Sequence, residues 1–284
     1  MSRAVERRTV GTQSVLVAGP ASAPSVVLLH GIGSSAASFA AQLDVLGGRR
    51  RVLAPDAPGY AHSADSERPL GLDGYADGVV ALLDAEGIER TAIVGVSWGG
   101  VIATRLALRH PRRVSALVLA DTSRGSGIRR RRAETMLRRP EELARDGAAV
   151  FASRRSPRLL SSSASAEVVD AVSAAMASSI RLPGYARAAA SMAATDHSGD
   201  LDRIAVPTLV VVGAEDSICP PDEARAITAG IPGARLEVIT GAGHLANQER
   251  ADEFNRLVER FLDELHGDAL TTAVADARPI ADNH

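Results

Sequence analysis

The chain has 284 residues, of which 45% are hydrophobic and 23% charged, so it is long enough for one domain with an inserted segment. Its formal net charge of −2 gives no general reason to expect nucleic acid as a partner. All 32 basic side chains are arginine, which excludes Schiff-base chemistry and a P-loop lysine, and the single cysteine excludes an internal disulfide and a cysteine-built metal cluster.

Short apolar runs in the first part of the chain predict the strands of a sheet. Residues 5–10 and 14–18 are expected to form two short strands, an antiparallel start. Residues 25–29 are almost all apolar, which is typical of a strand covered on both faces of a parallel sheet. A further strand is expected at 51–54, and 72–86 has the spacing of an amphipathic helix.

The next predicted strand leads into a serine flanked by glycines. A β-branched run at 91–94 stops at Gly95, a helix is predicted over 99–110, and Ser97 lies between them in the pattern G-x-S-x-G. A serine at such a turn adopts a strained backbone that exposes its Oγ, and the residues two positions away must be small so that strand and helix can approach. The pattern predicts a nucleophile above a helix N-terminus, and the plainer interpretation is an ordinary glycine-containing loop.

The pattern of alternating strands and helices is interrupted once. Residues 114–120 are expected to form the sixth strand. From 122 to 200 no buried-strand run occurs, and Ala, Ser and Arg recur with helical spacing, which predicts a helical cap inserted after that strand. Strands are predicted again at 208–212 and 235–239, and the last helix at 249–265.

These elements predict an α/β fold with a mostly parallel, doubly covered sheet. Residues 1–121 and 201–266 are expected to form the core and 122–200 the cap. The end of the chain, 267–284, is polar and without periodicity, and we expect a disordered tail there.

The sequence also contains no membrane or secretion signal that we can identify. Its first residues lack an apolar signal-like run, and no stretch approaches about 18 consecutive apolar residues. We therefore expect a cytoplasmic protein that does not engage a membrane. The formation of a homo-oligomer is left open by the sequence.

Two loops are expected to supply partners for the serine. A serine hydroxyl needs a base, and the base needs a third group to orient it. Asp216 follows the strand at 208–212, and His244 follows the strand at 235–239. Because the carboxyl ends of parallel strands meet at one edge of a sheet, these side chains are expected to lie near Ser97. Two other acids remain alternatives to Asp216: Asp121, directly after the sixth strand, and Glu215.

The order Ser97, Asp216, His244 and the surrounding motifs resemble those of α/β-hydrolase fold enzymes over about residues 5–265. The resemblance implies that Ser97 is the nucleophile, that His244 is the general base and that Asp216 orients the imidazole. It further implies that an oxyanion is held by the backbone N–H groups of Ile32 and Trp98.

The same resemblance indicates which residues would meet the substrate. The side chain of Trp98 is expected to line the pocket as well, with a place in the core as the alternative. Gly31, in the loop after the third strand, and Leu245, next to His244, are the other expected substrate contacts. The resemblance implies no metal and no organic cofactor.

Within this family the chain is most similar to 3-oxoadipate enol-lactonases and related small esterases, through residues 30–35, 216–221 and 243–247. The resemblance implies a small-molecule ester or lactone substrate that is cleaved through an acyl-enzyme. One alternative is a C–C bond hydrolase of aromatic ring-cleavage products, which residues 56–59 resemble. A second alternative, from another class, is a non-catalytic ligand-binding protein with this fold.

The predicted cap contains a basic stretch. Residues 124–158 contain eleven arginines and four acids. We interpret this stretch as a solvated helical face, and the alternative is a cationic lid that attracts carboxylate-bearing substrates. No aromatic residues alternate with these arginines in the way that nucleic-acid binding needs, so we expect no nucleic-acid partner.

Overall fold

A computed structural model describes residues 5–276 of the chain, and its side chains through residue 265. In this part of the chain eight strands form a single sheet. The strands are β1 (Glu6–Val10), β2 (Gln13–Ala18), β3 (Ser25–Leu29), β4 (Arg51–Pro55), β5 (Thr91–Val96), β6 (Val114–Ala120), β7 (Thr208–Gly213) and β8 (Arg235–Ile239).

The sheet is mostly parallel, as the sequence predicts. Its order is β1-β2-β4-β3-β5-β6-β7-β8. β1 pairs with β2, and β2 with β4, in antiparallel fashion, whereas every pair from β4 to β8 is parallel. β5 therefore lies near the middle of the sheet between β3 and β6, and the ends of β6, β7 and β8 follow beside it at one edge.

Helices cover both faces of the sheet, which confirms the predicted fold class. They are α1 (Ala40–Leu46), α2 (Gly71–Ala85), α3 (Trp98–Arg109), α4 (Arg130–Arg155), α5 (Ala166–Ser179), α6 (Gly184–Ala193), α7 (Pro221–Gly230), α8 (Ala246–Glu249) and α9 (Ala251–Asp276). α1 and α9 pack on one face with Phe39 and Phe254 between them, and α2, α3 and α7 pack on the other. α1 has no counterpart among the predicted elements.

Three of these helices, α4, α5 and α6, lie between β6 and β7, and we refer to residues 122–200 as the insert. α4 changes direction at Gly147, whose φ of 73° lies outside the helical range. α6 packs against α4 and against α2 of the core. The insert lies over the edge of the sheet where β5 ends, because residues of α4, α5 and α6 line one cavity together with Val96 and Ser97.

The last helix is longer than the sequence predicts. α9 continues to Asp276, so residues 267–276, which we expected to belong to a disordered tail, are helical. Residues 277–284, the rest of that predicted tail, lie outside the described residues. Within 5–276, no helix combines the length and the apolar character that crossing a bilayer would require.

Candidate functional site

Ser97 occupies a strained turn at the end of the central strand. Its φ of 54° and ψ of −117° belong to a region that side-chain-bearing residues rarely adopt, at a cost of about 1–3 kcal/mol. The neighbouring strand holds the turn in place, because the Ser97 N–H donates to the carbonyl of Ala120 at 2.9 Å and the Thr122 hydroxyl donates to the Ser97 carbonyl at 2.6 Å. The strain expected from the G-x-S-x-G spacing is present.

The two glycines around Ser97 let strand and helix approach. A Cβ at Gly99 would lie 2.0 Å from the carbonyl oxygen of Leu29 on β3. A Cβ at Gly95 would lie 2.4 Å from the carbonyl oxygen of Gly99 itself. Both contacts are with backbone that a strand or helix fixes, so the steric reason expected for glycine at these positions is confirmed.

Three buried side chains form a continuous line of hydrogen bonds at this edge. Ser97 Oγ lies 2.9 Å from Nε2 of His244, and Nδ1 of the same ring lies 2.8 Å from Oδ2 of Asp216. The other oxygen of Asp216 accepts the N–H groups of Ile218 at 2.8 Å and Cys219 at 2.9 Å. These two bonds fix the carboxylate plane, so one oxygen always faces the imidazole.

The surroundings of His244 favour its protonated form. Burial alone would lower the pKa of His244, but the charge and hydrogen bond of Asp216 and the charge of Asp121 outweigh burial. The pKa of His244 therefore lies above its ordinary value of 6.5. Since Nδ1 donates to Asp216, a neutral ring presents the lone pair of Nε2 to the Ser97 hydroxyl. This arrangement can remove a proton from an alcohol.

The two rival acids lie elsewhere. Asp121 is fully buried, and its oxygens accept the N–H groups of Gly213 at 2.9 Å and Ala246 at 3.0 Å instead of the imidazole. Burial raises its pKa to about 7. Glu215 accepts from the N–H and hydroxyl of Ser162 in the insert. Of the three candidates, Asp216 is the one bonded to the histidine ring.

The loop after β3 lies directly beside the serine. A Cβ at Gly31 would lie 3.2 Å from Cβ of Ser97, so the loop passes at van der Waals distance. His30 holds this loop: its Nε2 accepts the Ala57 N–H at 2.9 Å, and its Nδ1–H therefore donates to the Gly31 carbonyl. Burial lowers the pKa of His30, which keeps this neutral tautomer.

The two N–H groups expected to hold an oxyanion are available. The N–H of Trp98 belongs to the first residue of α3, where no intrahelical acceptor exists. Ile32, which follows Gly31, lines the cavity described below. Neither N–H has an acceptor among the described residues. These two free N–H groups beside Ser97 can donate hydrogen bonds to a negatively charged oxygen of a ligand.

The side chain of Trp98 does not lie at the pocket, where the sequence analysis placed it, but in the core, which was the alternative. It is 0% exposed and lies beneath α3. Its ring centroid lies 4.7 Å from that of Tyr75 and 5.7 Å from that of Tyr60, and its Nε1–H donates to the hydroxyl of Ser191. The polar end of the indole is satisfied by the insert, so the Trp98 side chain is part of the core and does not line the cavity described below.

A cavity of about 770 Å³ opens above Ser97, between the core loops and the insert. On the core side its lining includes His244, Gly31, Ile32 and Leu245. The substrate contacts expected at Gly31 and Leu245 stay predictions. α5 forms a wall with three apolar side chains spaced four residues apart, and these are Val168, Val172 and Met176. The volume suits a small organic molecule.

The insert is also bonded to the loop that carries the histidine. The N–H of His244 donates to the carbonyl of Leu159 at 2.8 Å. Glu249 accepts the N–H groups of Gly243 at 2.7 Å and Ser161 at 2.8 Å, and so bridges the loop and the insert. Sequence reasoning missed this bridge, because the pattern places Glu249 only at the start of the last helix.

Cys219 is buried beside the acid, and burial raises its pKa well above the ordinary value, so its thiol is not poised for attack. Among the described residues, no group of three His, Cys, Asp or Glu side chains could hold a metal ion.

Comparisons with known proteins find a matching family model and similar relatives. The family model of the α/β hydrolase fold matches residues 24–251. A 3-oxoadipate enol-lactonase of Acinetobacter baylyi is 26% identical over 247 residues, which are 86% of this chain and 90% of that protein. The 2-hydroxymuconate semialdehyde hydrolase of Pseudomonas putida is 34% identical over 231 residues, which are 76% of this chain and 78% of that protein.

A solved structure shows the same architecture. The enol-lactonase from Burkholderia xenovorans LB400 has a TM-score of 0.81 and 27% identity to this chain. The match covers 91% of this chain and 100% of that one. The likeness therefore extends over most of the chain.

Proposed function

The chain belongs to the α/β-hydrolase fold family, and on that premise we propose that it is a serine hydrolase that cleaves a small carboxylic ester or lactone through an acyl-enzyme. One observation carries the proposal: Ser97, His244 and Asp216 form an unbroken line of hydrogen bonds whose hydroxyl end lies at the floor of the cavity. Its substrate is a small molecule that fits within about 770 Å³.

In the first half of the reaction the Ser97 oxygen attacks the carbonyl carbon of the bound ester. Its proton passes to Nε2 of His244, and Asp216 stabilises the imidazolium that forms. The carbonyl oxygen becomes an oxyanion, and the N–H groups of Ile32 and Trp98 donate to it. When the C–O bond breaks, Nε2 returns the proton to the leaving oxygen, and the acyl group remains on Ser97. In a lactone the leaving alcohol stays tethered to that acyl group.

In the second half, water enters the place that the leaving alcohol vacates or, in a lactone, a place beside it. His244 takes a proton from this water, and the hydroxide attacks the acyl carbon. The same two N–H groups hold the second oxyanion. Collapse of this intermediate releases the carboxylic acid, and His244 returns the proton to Ser97. The strained backbone of Ser97 keeps the oxygen in place for both attacks.

The second candidate reaction is hydrolysis of a C–C bond in a ring-cleavage product. The 34% identity to the Pseudomonas putida semialdehyde hydrolase favours it. Against it, Leu245 follows His244, where the resemblance to C–C hydrolases would imply tryptophan. Both reactions would use the same serine, so a substrate panel separates them. A third candidate, a non-catalytic binding protein, would leave the histidine-activated serine without use.

The test compares purified wild-type protein with Ser97→Ala on three substrates, namely a neutral p-nitrophenyl ester, a small lactone and a ring-cleavage dienoate. We expect ester and lactone turnover that falls by at least ~10³ in the variant. A fluorophosphonate should add one equivalent of mass to wild type and none to the variant. Turnover of the dienoate alone would favour the C–C reaction, and no turnover or labelling would favour a binding role.

A further inference from the structure

Eight of the eleven arginines of the basic stretch fall into two groups in the structure. Some face solvent and are paired there with carboxylates: Arg130 with Glu134 at 2.8 Å, and Arg145 and Arg154 with Asp146 at 2.8 and 2.5 Å. Others line the cavity, and these are Arg129, Arg131, Arg132, Arg139 and Arg155. The interpretation of the whole stretch as a solvated face is therefore incomplete.

The cavity contains few negative charges to balance these arginines. Among the described residues that line it, Glu167 is the one carboxylate. The neighbours of Arg139 and Arg155 illustrate the imbalance. For Arg155 the nearest carboxylate is Glu142, at the outer limit of an ion pair, 4.0 Å. For Arg139 no described carboxylate lies within ion-pair distance.

Both side chains are substantially removed from water. The side chain of Arg155 is 19% exposed, and its guanidinium lies 5.1 Å from the ring centroid of Phe151. Nε of Arg139 is buried and has no hydrogen-bond acceptor among the described residues. A buried N–H donor without an acceptor is costly, and so is a desolvated cation without a counter-charge. A ligand anion would relieve both costs.

The two guanidinium groups influence each other and the reaction centre. Burial lowers the pKa of Arg155, and the positive charge of Arg139 lowers it further. The same charge opposes protonation of His244, which places Arg139 within electrostatic reach of the imidazole. An anion held by Arg139 would therefore lie inside the substrate cavity, on the side of the insert.

We propose that Arg139 and Arg155 bind a carboxylate that the substrate carries in addition to the ester or lactone group that Ser97 attacks. The inference rests on the proposed function and names its substrate class. Guanidinium groups suit this task because their planar N–H pairs match the two oxygens of a carboxylate. The chain between the two functional groups of the substrate would lie along the apolar wall formed by Val168, Val172 and Met176.

The test uses two esters that differ only in the far end of the acyl chain: the mono-p-nitrophenyl ester of adipic acid and p-nitrophenyl hexanoate. The variants are Arg139→Gln and Arg155→Gln. Arg138→Gln is the matched control, because Arg138 is exposed on the same helix and does not line the cavity. Thermal unfolding of each variant establishes that it is folded.

For the adipate monoester we expect kcat/KM to fall about 10- to 100-fold in each cavity variant, the size of a lost charged hydrogen bond. For the hexanoate ester it should stay within about threefold, and the control should match wild type on both. Equal losses on both esters, or no preference of wild type for the adipate ester, would overturn the inference. Hydrolysis of hexanoate tests the proposed function separately.

A binding measurement keeps the inference testable if neither ester is hydrolysed. Calorimetric titration with adipate alone should show binding to wild type and to Arg138→Gln, and loss of binding in the cavity variants. Absence of adipate binding to wild type would contradict the site. In addition, the pH at which the activity of Arg139→Gln on a neutral ester falls should move upward, because a charge that lowers the pKa of His244 is gone.

Discussion

The hydrogen bonds around Asp216 predict what an amide would do in its place. In Asp216→Asn the side-chain oxygen must occupy the position that accepts the N–H groups of Ile218 and Cys219. The reversed orientation would leave both N–H groups facing an NH₂ group, at about 1–3 kcal/mol each. The amide NH₂ therefore faces Nδ1 of His244, and Nδ1 becomes the acceptor.

The consequence is the wrong tautomer of the imidazole. The proton moves to Nε2, so the ring now presents an N–H to the Ser97 hydroxyl and cannot accept its proton. For this kind of substitution we expect kcat to fall by ~10⁴, equivalent to about 5.5 kcal/mol of barrier height. The fold should be retained, since an amide is almost the same size as a carboxylate.

Asp121→Asn is the matched control, since it removes the other buried carboxylate at the same sheet edge. Asp121 contacts the backbone of Gly213 and Ala246 and not the ring, so kcat should stay within about tenfold of wild type. The assay is steady-state hydrolysis of p-nitrophenyl acetate at about pH 9, with thermal unfolding of each variant alongside. A folded Asp216→Asn that retains activity, paired with an inactive Asp121→Asn, would refute the reasoning.

Three further predictions concern pH and packing. The kcat/KM of wild type on a neutral ester should decline as the pH falls, with a midpoint above 6.5. The reason is that the pKa of His244 is raised, so the ring is already protonated, and unable to act as a base, at pH 6.5. A midpoint below 6.5 in a pH–kcat/KM profile would contradict this. Burial raises the pKa of Asp121 from 3.8 to about 7, so between these pH values the carboxyl ionises in the unfolded chain but not in the folded one. The free energy of unfolding of wild type should therefore fall, relative to that of Asp121→Asn, as the pH rises through this range. Urea unfolding at several pH values measures this. Gly99→Ala should lower the free energy of unfolding by about 3 kcal/mol, because its Cβ would overlap a β3 carbonyl. Gly78→Ala, on α2 with no contact below 3.4 Å, should raise the free energy of unfolding by about 0.5–1 kcal/mol. Equal urea midpoints for the two variants would contradict this reasoning.

Much of the core follows from local sequence. Runs such as 25–29 and 114–120 are apolar on both faces, and a parallel strand buried on both faces is the structure that such runs favour. The serine turn is equally local, because Gly95 and Gly99 are needed within four residues of one another. Chain order and strand ends then predict that Asp216 and His244 lie near Ser97, and the structure brings them together.

What could not be predicted depends on packing between distant segments. Helical spacing does not say which arginines of α4 face the cavity, because the kink at Gly147 rotates the two halves of that helix relative to each other. The place of the Trp98 indole depends on Ser191 and Tyr75, which come from different parts of the chain. The polar composition after residue 266 also concealed a helix that continues to Asp276.

The docking of the insert on the histidine loop constrains any exchange of that insert with a relative's. Residues 159–162 supply a carbonyl to His244 and backbone N–H groups to Glu215 and Glu249. A chimera joined near residues 122 and 200 must bring an equivalent stretch of backbone with it. Without one, the imidazole would lose its support, and the hybrid would become slow toward every ester rather than change its preference among them.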